Sequence, residues 1–159
     1  MILWYAAGAV FIVWNVFQSS GLDFRAVAVG ALLPLALDAP FGRQGVAHSL
    51  LGAVVALAVV MLVTTGRGRR LARRRALGVP IGWFCGLVLS GAWANQEVFW
   101  WPVFGTDVPR VDLVPGLVVV AALEALGALA AGWIVVRFGL TDPRRRAAFA
   151  RSGRLEVAG

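Results

Sequence analysis

Charge is scarce in this chain, and lysine is absent altogether. Asp, Glu, Lys and Arg make up 14% of its 159 residues, where a soluble domain carries about a quarter. With 60% of residues hydrophobic and a mean hydropathy of +0.80, there is too little polar surface to cover the chain in water. This excludes an ordinary soluble domain and leaves lipid to replace the missing polar surface. One cysteine, Cys85, excludes an internal disulfide framework and a cysteine-based zinc knuckle. Its apolar neighbours Phe84 and Leu87 make it a buried thiol rather than a nucleophile. His48 is the sole histidine, so no histidine-rich metal cluster exists. The chain also lacks a Ser-His-Asp set, a glycine-rich phosphate loop and an internal repeat.

Arginine is what the chain does have. The 15 basic residues give a net charge of +7, and most of them fall in two blocks: Arg67, Arg69, Arg70, Arg73, Arg74 and Arg75, then Arg144, Arg145, Arg146, Arg151 and Arg154. Each block directly follows a long apolar run, which is where cytoplasmic anchors of a membrane protein sit. The blocks therefore read as determinants of topology and contacts to lipid headgroups, not as a nucleic-acid surface.

The apolar runs predict an all-α membrane protein, a bundle of about five transmembrane or membrane-embedded helices over residues 1–140, with a basic cytoplasmic tail over 141–159. The expected segments are 2–17, 24–37, 46–65, 76–93 and 113–138. The first lacks a positive leading region and a small-residue cleavage site, so it reads as a retained helix rather than a signal peptide. Ser19-Ser20-Gly21 ends it, and Asp23 is placed to cap the second helix. That second segment is short for a full crossing and contains Pro34. If it crosses completely, the amino terminus lies outside; if it dips and returns, the amino terminus lies inside. Both arginine blocks reach the cytoplasm when the fourth and fifth segments form an outward and returning pair. Aromatic residues between those two, including Phe99, Trp100, Trp101 and Phe104, suit the headgroup level on the opposite side. The expected location is the bacterial plasma membrane, multi-pass, with the carboxyl terminus in the cytoplasm.

Within these segments a few residues carry specific expectations. Gly78, Gly82, Gly86 and Ser90 recur every fourth residue and form a ridge of missing side chains on one helix face, a packing surface for another helix. Ala121, Ala125, Ala128 and Gly132 suggest a second such surface. Glu124 lies near the middle of the fifth helix, where a carboxylate needs a partner, with Asn15 one candidate. Asn15 itself reads as interhelical glue. A short polar loop brings Asp38 and His48 within reach of each other, with Ser49 and Arg43 nearby. They are the candidate metal or acid–base residues, against the simpler role of hydrogen bonding at a helix start.

The middle of the chain adds a resemblance. Gly-Ala-Leu-Leu-Pro-Leu-Ala-Leu-Asp-Ala-Pro from Gly30, then Arg-Gln-Gly-Val-Ala-His-Ser from Arg43, is similar to the Leu-x-Pro-Asp-x-Asp-His and His-Arg-Gly-x-Thr-His-Ser motifs of the YdjM-like family of bacterial inner-membrane metal-dependent hydrolases. Gly82 to Trp93 and Trp100 to Phe104 resemble that family's Gly-Tyr-x-Ser-His-Leu-x-x-Asp helix and its following Trp-Pro-Phe segment. The resemblance covers residues 24–104 and implies a metal-binding membrane fold. The chain departs from it at the ligand positions. Leu35 and Leu37 stand where the paired aspartates belong, Asp38 where a histidine belongs, Arg43 at another histidine, and Gly86 and Ser90 at the His and Asp of the later helix.

A catalytic divalent metal needs about three protein ligands and an open position. Asp38 and His48 supply two. The expectation is therefore a noncatalytic relative whose metal cleft has closed into a helix contact, with no cofactor and with membrane lipids, a membrane protein or a second copy of itself as partners. Two alternatives stand beside it: a metal-dependent hydrolase of a lipid headgroup or phosphoester using Asp38 and His48, and a small transport or channel subunit using Glu124.

Overall fold

The computed structural model describes residues 1–19, 21–66, 69–107 and 110–156. Among them every regular element is helical and no β-strand forms. The helices are α1 (Ile2–Phe17), α2 (Phe24–Asp38), α3 (Leu50–Val63), α4 (Arg70–Ala76), α5 (Gly78–Leu89), α6 (Gln96–Phe99), α7 (Leu117–Arg137) and α8 (Pro143–Ser152). Two stretches are long and apolar enough to cross a membrane, Phe24–Phe41 and Leu117–Arg137, and Ile2–Phe17 and Leu50–Val63 are shorter apolar helices. The second segment does not stop at Leu37, because α2 passes into a 3-10 turn at Ala39–Phe41. Pro34 is fully buried inside it.

Backbone contact organises the bundle. α2 and α5 share the most extensive interface, α1 packs on both and on α7, and α3 touches chiefly α5. At the α2–α5 seam, a Cβ added at Gly82 would lie 2.0 Å from the Val27 carbonyl oxygen, one at Gly86 would lie 2.6 Å from that of Ala31, and one at Gly78 2.8 Å from that of Asp23. The reciprocal small residue on α2, Gly30, faces the Val79 carbonyl in the same way. Ser90 is not part of this ridge. Its hydroxyl donates to Leu87 O and accepts from the Ala92 N–H, so it closes the end of α5 instead.

The second expected small-residue surface is also corrected. Ala121, Ala125 and Ala128 are exposed, and Gly132 faces open space. α7 instead meets α1 at Gly127, where a Cβ would lie 2.3 Å from the Trp4 backbone nitrogen. On a helix apolar all round, no polar face marks which small residues turn inward.

The two ends of the bundle differ in kind. At one end Leu71, Arg74 and Arg75 share a cleft with Gly21, Leu22, Asp23, Ser152 and Arg154, so the two arginine blocks meet. The expected arginine loop is itself helical from Arg70, in keeping with the helix propensity of Arg, Leu and Ala. Arg69 and Arg73 donate to the Val63 and Thr64 carbonyls and so satisfy the carboxyl end of α3. Arg67 lies outside the described residues. The tail is docked rather than separate: Leu155 is buried, and the Phe24 N–H donates to Gly153 O.

At the other end the Trp4 indole donates to Leu89 O, the Gln44 N–H to Val111 O, and Val98 is buried under the aromatic segment. Met1 belongs to this end, and Trp14 near the far end of α1 packs edge-on against Phe138, with centroids 4.7 Å apart. α1 and α2 therefore each run between the two ends of the bundle.

Asp23 caps α2 as expected, accepting from the Arg25 N–H at 3.1 Å and the Ala26 N–H at 3.4 Å. The Arg25 guanidinium, 2.8 Å away, holds the Asp23 carboxyl below its ordinary range, against the opposing effect of burial. A carboxyl with a depressed folded pKa contributes stability above its unfolded pKa and loses it as pH falls through the folded value. Asp23→Ala is accordingly expected to lower stability by about 1 kcal/mol at neutral pH. Thermal unfolding in detergent across a pH series should show the gap to wild type closing below about pH 4.

Candidate functional site

The polar loop at the Met1 end is built from glycine and short turns. The Ala39–Phe41 turn ends on Gly42 with φ 63°, a left-handed conformation in which glycine is free of steric penalty. The chain then doubles back through Gly45 to a 3-10 turn at Val46–His48. Ser49 follows, accepting from the Gly52 N–H to cap α3 and donating to Val46 O.

This return brings Asp38 and His48 together, as their spacing suggested. Asp38 Oδ2 lies 2.7 Å from His48 Nδ1 and accepts the Gly45 N–H, also at 2.7 Å. Asp38 is 5% exposed and His48 1%, so neither can exchange its partner for water without the loop moving. A carboxylate is an acceptor, which places the imidazole proton on Nδ1. A side chain at position 45 would meet Asp38 Oδ1 at 2.9 Å, so glycine is what lets the loop close over the carboxylate. Nearby, Gln44 is buried, and among the described residues its Oε1 has no hydrogen-bond partner. Arg43 does not join the pair. It is exposed and bridges through its backbone to Asp112.

Asp38 also borders an apolar groove of about 600 Å³ between α2, α3 and α5, whose wall includes Val46, Leu51, Val55, Val79 and Trp83. The Trp83 indole donates to Ala47 O at 2.9 Å and ties α5 to the loop. A second apolar groove, of about 540 Å³, lies on the other side of α3 against α1.

Among the described residues no three of His, Cys, Asp and Glu come together, and the Asp38 oxygen that faces His48 already holds two hydrogen bonds. Gly86 and Ser90, at the positions where the resemblance would place a His and an Asp, face the α2 backbone and the end of α5 respectively.

Glu124 and Asn15 do not meet. Glu124 Oε2 accepts the Leu3 N–H at 3.1 Å, and its other oxygen pairs with the Met1 ammonium. It thus satisfies the amino-terminal turn of α1, whose N–H groups have no partner within their own helix. Sequence reasoning missed this because the partner is a backbone end, which no side-chain pattern marks. Asn15 is exposed, and its amide donates to Phe11 O one turn back in its own helix, so it is not interhelical glue.

No protein-family model, curated protein or solved structure matches the chain.

Proposed function

We propose that the chain is a noncatalytic multi-pass membrane protein, derived from the membrane hydrolases it resembles, that acts through contacts with lipid or with another membrane protein. In this reading α1, α2, α3, α5 and α7 are embedded in a bacterial plasma membrane, and the arginine-rich end faces the cytoplasm. The outward faces support the embedding: Leu62, Val63, Leu117, Val118, Leu129 and Val136 are all well exposed.

The observation that carries the noncatalytic reading is the seam at Gly86. With the Ala31 carbonyl 2.6 Å from where a Cβ would stand, a histidine cannot occupy that face, and the ligand it would supply is replaced by helix packing. Asp38 and His48 then act as a clasp that holds the loop between α2 and α3 closed. Purified protein is expected to carry no stoichiometric metal by elemental analysis. One equivalent of metal, lost in His48→Ala, would overturn the reading.

The 2.7 Å contact between Asp38 and His48 favours a second reading, hydrolysis of a phosphoester at that end of the bundle. It requires turnover that depends on added metal and disappears in His48→Ala. A transport role through Glu124 has less support, since that carboxylate is occupied by the start of α1.

The topology is directly testable. In a Cys85→Ser background, a thiol reagent excluded by the membrane is expected to label Trp100→Cys in intact cells. Arg70→Cys should react only after permeabilisation. Labelling of both in intact cells would refute the proposed sidedness.

A further inference from the structure

The structure points to a binding site for one anionic glycerophospholipid where α8 folds back beneath α7. This rests on the membrane reading above and extends it to a defined site. A cavity of about 250 Å³ lies there, its floor made of Phe138, Leu140, Phe149 and Leu155, its rim bearing Arg145 and Arg154. Phe138 and Leu155 are each 1% exposed and form a fixed base, whereas both guanidinium groups are exposed. Among the described residues neither arginine has a carboxylate within ion-pairing distance. Glu156 shares the rim, which leaves a net charge of one positive unit, matching the single negative charge of a phosphodiester.

The surroundings select for an anionic lipid over a zwitterionic one. Arg144, Arg146 and Arg151 lie on the same helix, and Arg74 and Arg75 lie across the adjoining cleft with Arg154. A choline group would sit among like charges. Depth fits as well: α7 ends at Arg137, so a cavity floored by the next residue lies where acyl chains meet headgroups. The apolar floor takes the glycerol and first methylene groups, and the planar guanidinium groups take the phosphate oxygens.

The test uses full-length protein purified in detergent, stripped of lipid, and titrated with phosphatidylglycerol or phosphatidylcholine, with bound lipid read by native mass spectrometry. Phosphatidylglycerol is expected to be retained preferentially. Arg145→Gln with Arg154→Gln should weaken it about thirtyfold, because each guanidinium near an anionic headgroup contributes about fivefold. Arg144→Gln with Arg146→Gln removes the same charge from outside the cavity and should weaken retention clearly less than the first pair. Ala148→Trp fills the cavity while keeping every arginine. It should abolish retention, and it keeps the question answerable if the first pair fails to fold.

Equal losses in the two arginine pairs would reduce the site to diffuse charge and overturn the inference, as would equal retention of the two lipids. Competition by glycerol phosphate as strong as by intact lipid would mean that a free phosphate, not a lipid, is bound. A chain that folds in plain buffer would remove the membrane reading; a detergent-extracted chain without phosphatidylglycerol preference would remove this site alone.

Discussion

Gly82→Leu is expected to abolish the assembled bundle. At that position a Cβ lies 2.0 Å from Val27 O, 2.8 Å from its carbonyl carbon and 3.0 Å from Ala31 N. All three atoms are backbone, so no side chain can rotate aside and α2 itself must move. Overpacking against adaptable neighbours costs about 1–3 kcal/mol. Displacing a helix whose interface with α5 is the largest in the molecule should exceed that, reaching about 4 kcal/mol or more. Such a loss consumes most of a typical folding free energy of about 5–15 kcal/mol. Gly132→Leu, on the open face of α7, controls for the added side chain and is expected to be tolerated. Size-exclusion profiles and thermal midpoints in mild detergent measure both. A Gly82→Leu chain with the wild-type midpoint would refute the seam as described.

The second large effect is expected from Asp38→Ala. Removing the carboxylate strands two donors, the Gly45 N–H and His48 Nδ1–H, in a site where His48 is 1% exposed. Each buried donor left without an acceptor costs about 1–3 kcal/mol, so the pair should lower stability by about 2–6 kcal/mol. Asp38→Asn can set its one carbonyl oxygen where Oδ2 stands, the atom both donors share, and so loses the charge but not the acceptor; it is expected to fall between the two. Thermal unfolding gives the order of the three proteins, and amide exchange at residues 42–49 locates the loosening. The hydrolase reading predicts otherwise: both variants would lose metal-dependent turnover while keeping most of their stability.

How far these features could be read from the chain depends on their physical scale. The helical class and the convergence of the arginine blocks on one end were legible, because burial and charge are written along the sequence one segment at a time. The α5 glycine ridge and the Asp23 cap were legible for the same local reason, being fixed by a spacing of four residues and by a polar residue at a helix start. Asp38 and His48 were legible as a pair, since ten residues of loop can close on themselves. Contacts between distant backbones were not. Gly127 against Trp4 and Gly30 against Val79 bear no mark that separates them from Gly132, because on these helices every face is apolar. The docking of Leu155, fully buried beyond a run of arginines, was hidden by the polarity of the residues before it. Ser90 fitted the four-residue spacing, but its hydroxyl found nearer partners in the turn that ends α5, so local hydrogen bonding outweighed periodicity.

The way the fourth-residue glycines meet α2 also governs where the molecule can move. Three glycines pressed against main-chain carbonyls have no rotamers to give up, so that junction forms without the ordering penalty of interlocked leucines or methionines. α3 is the opposite case: it leans chiefly on α5, and of its side chains only Ala53 is buried. Packing is therefore distributed unequally, with a tightly joined central pair and a lightly held outer helix, and any neighbour that settles beside α3 meets an element with few anchors of its own.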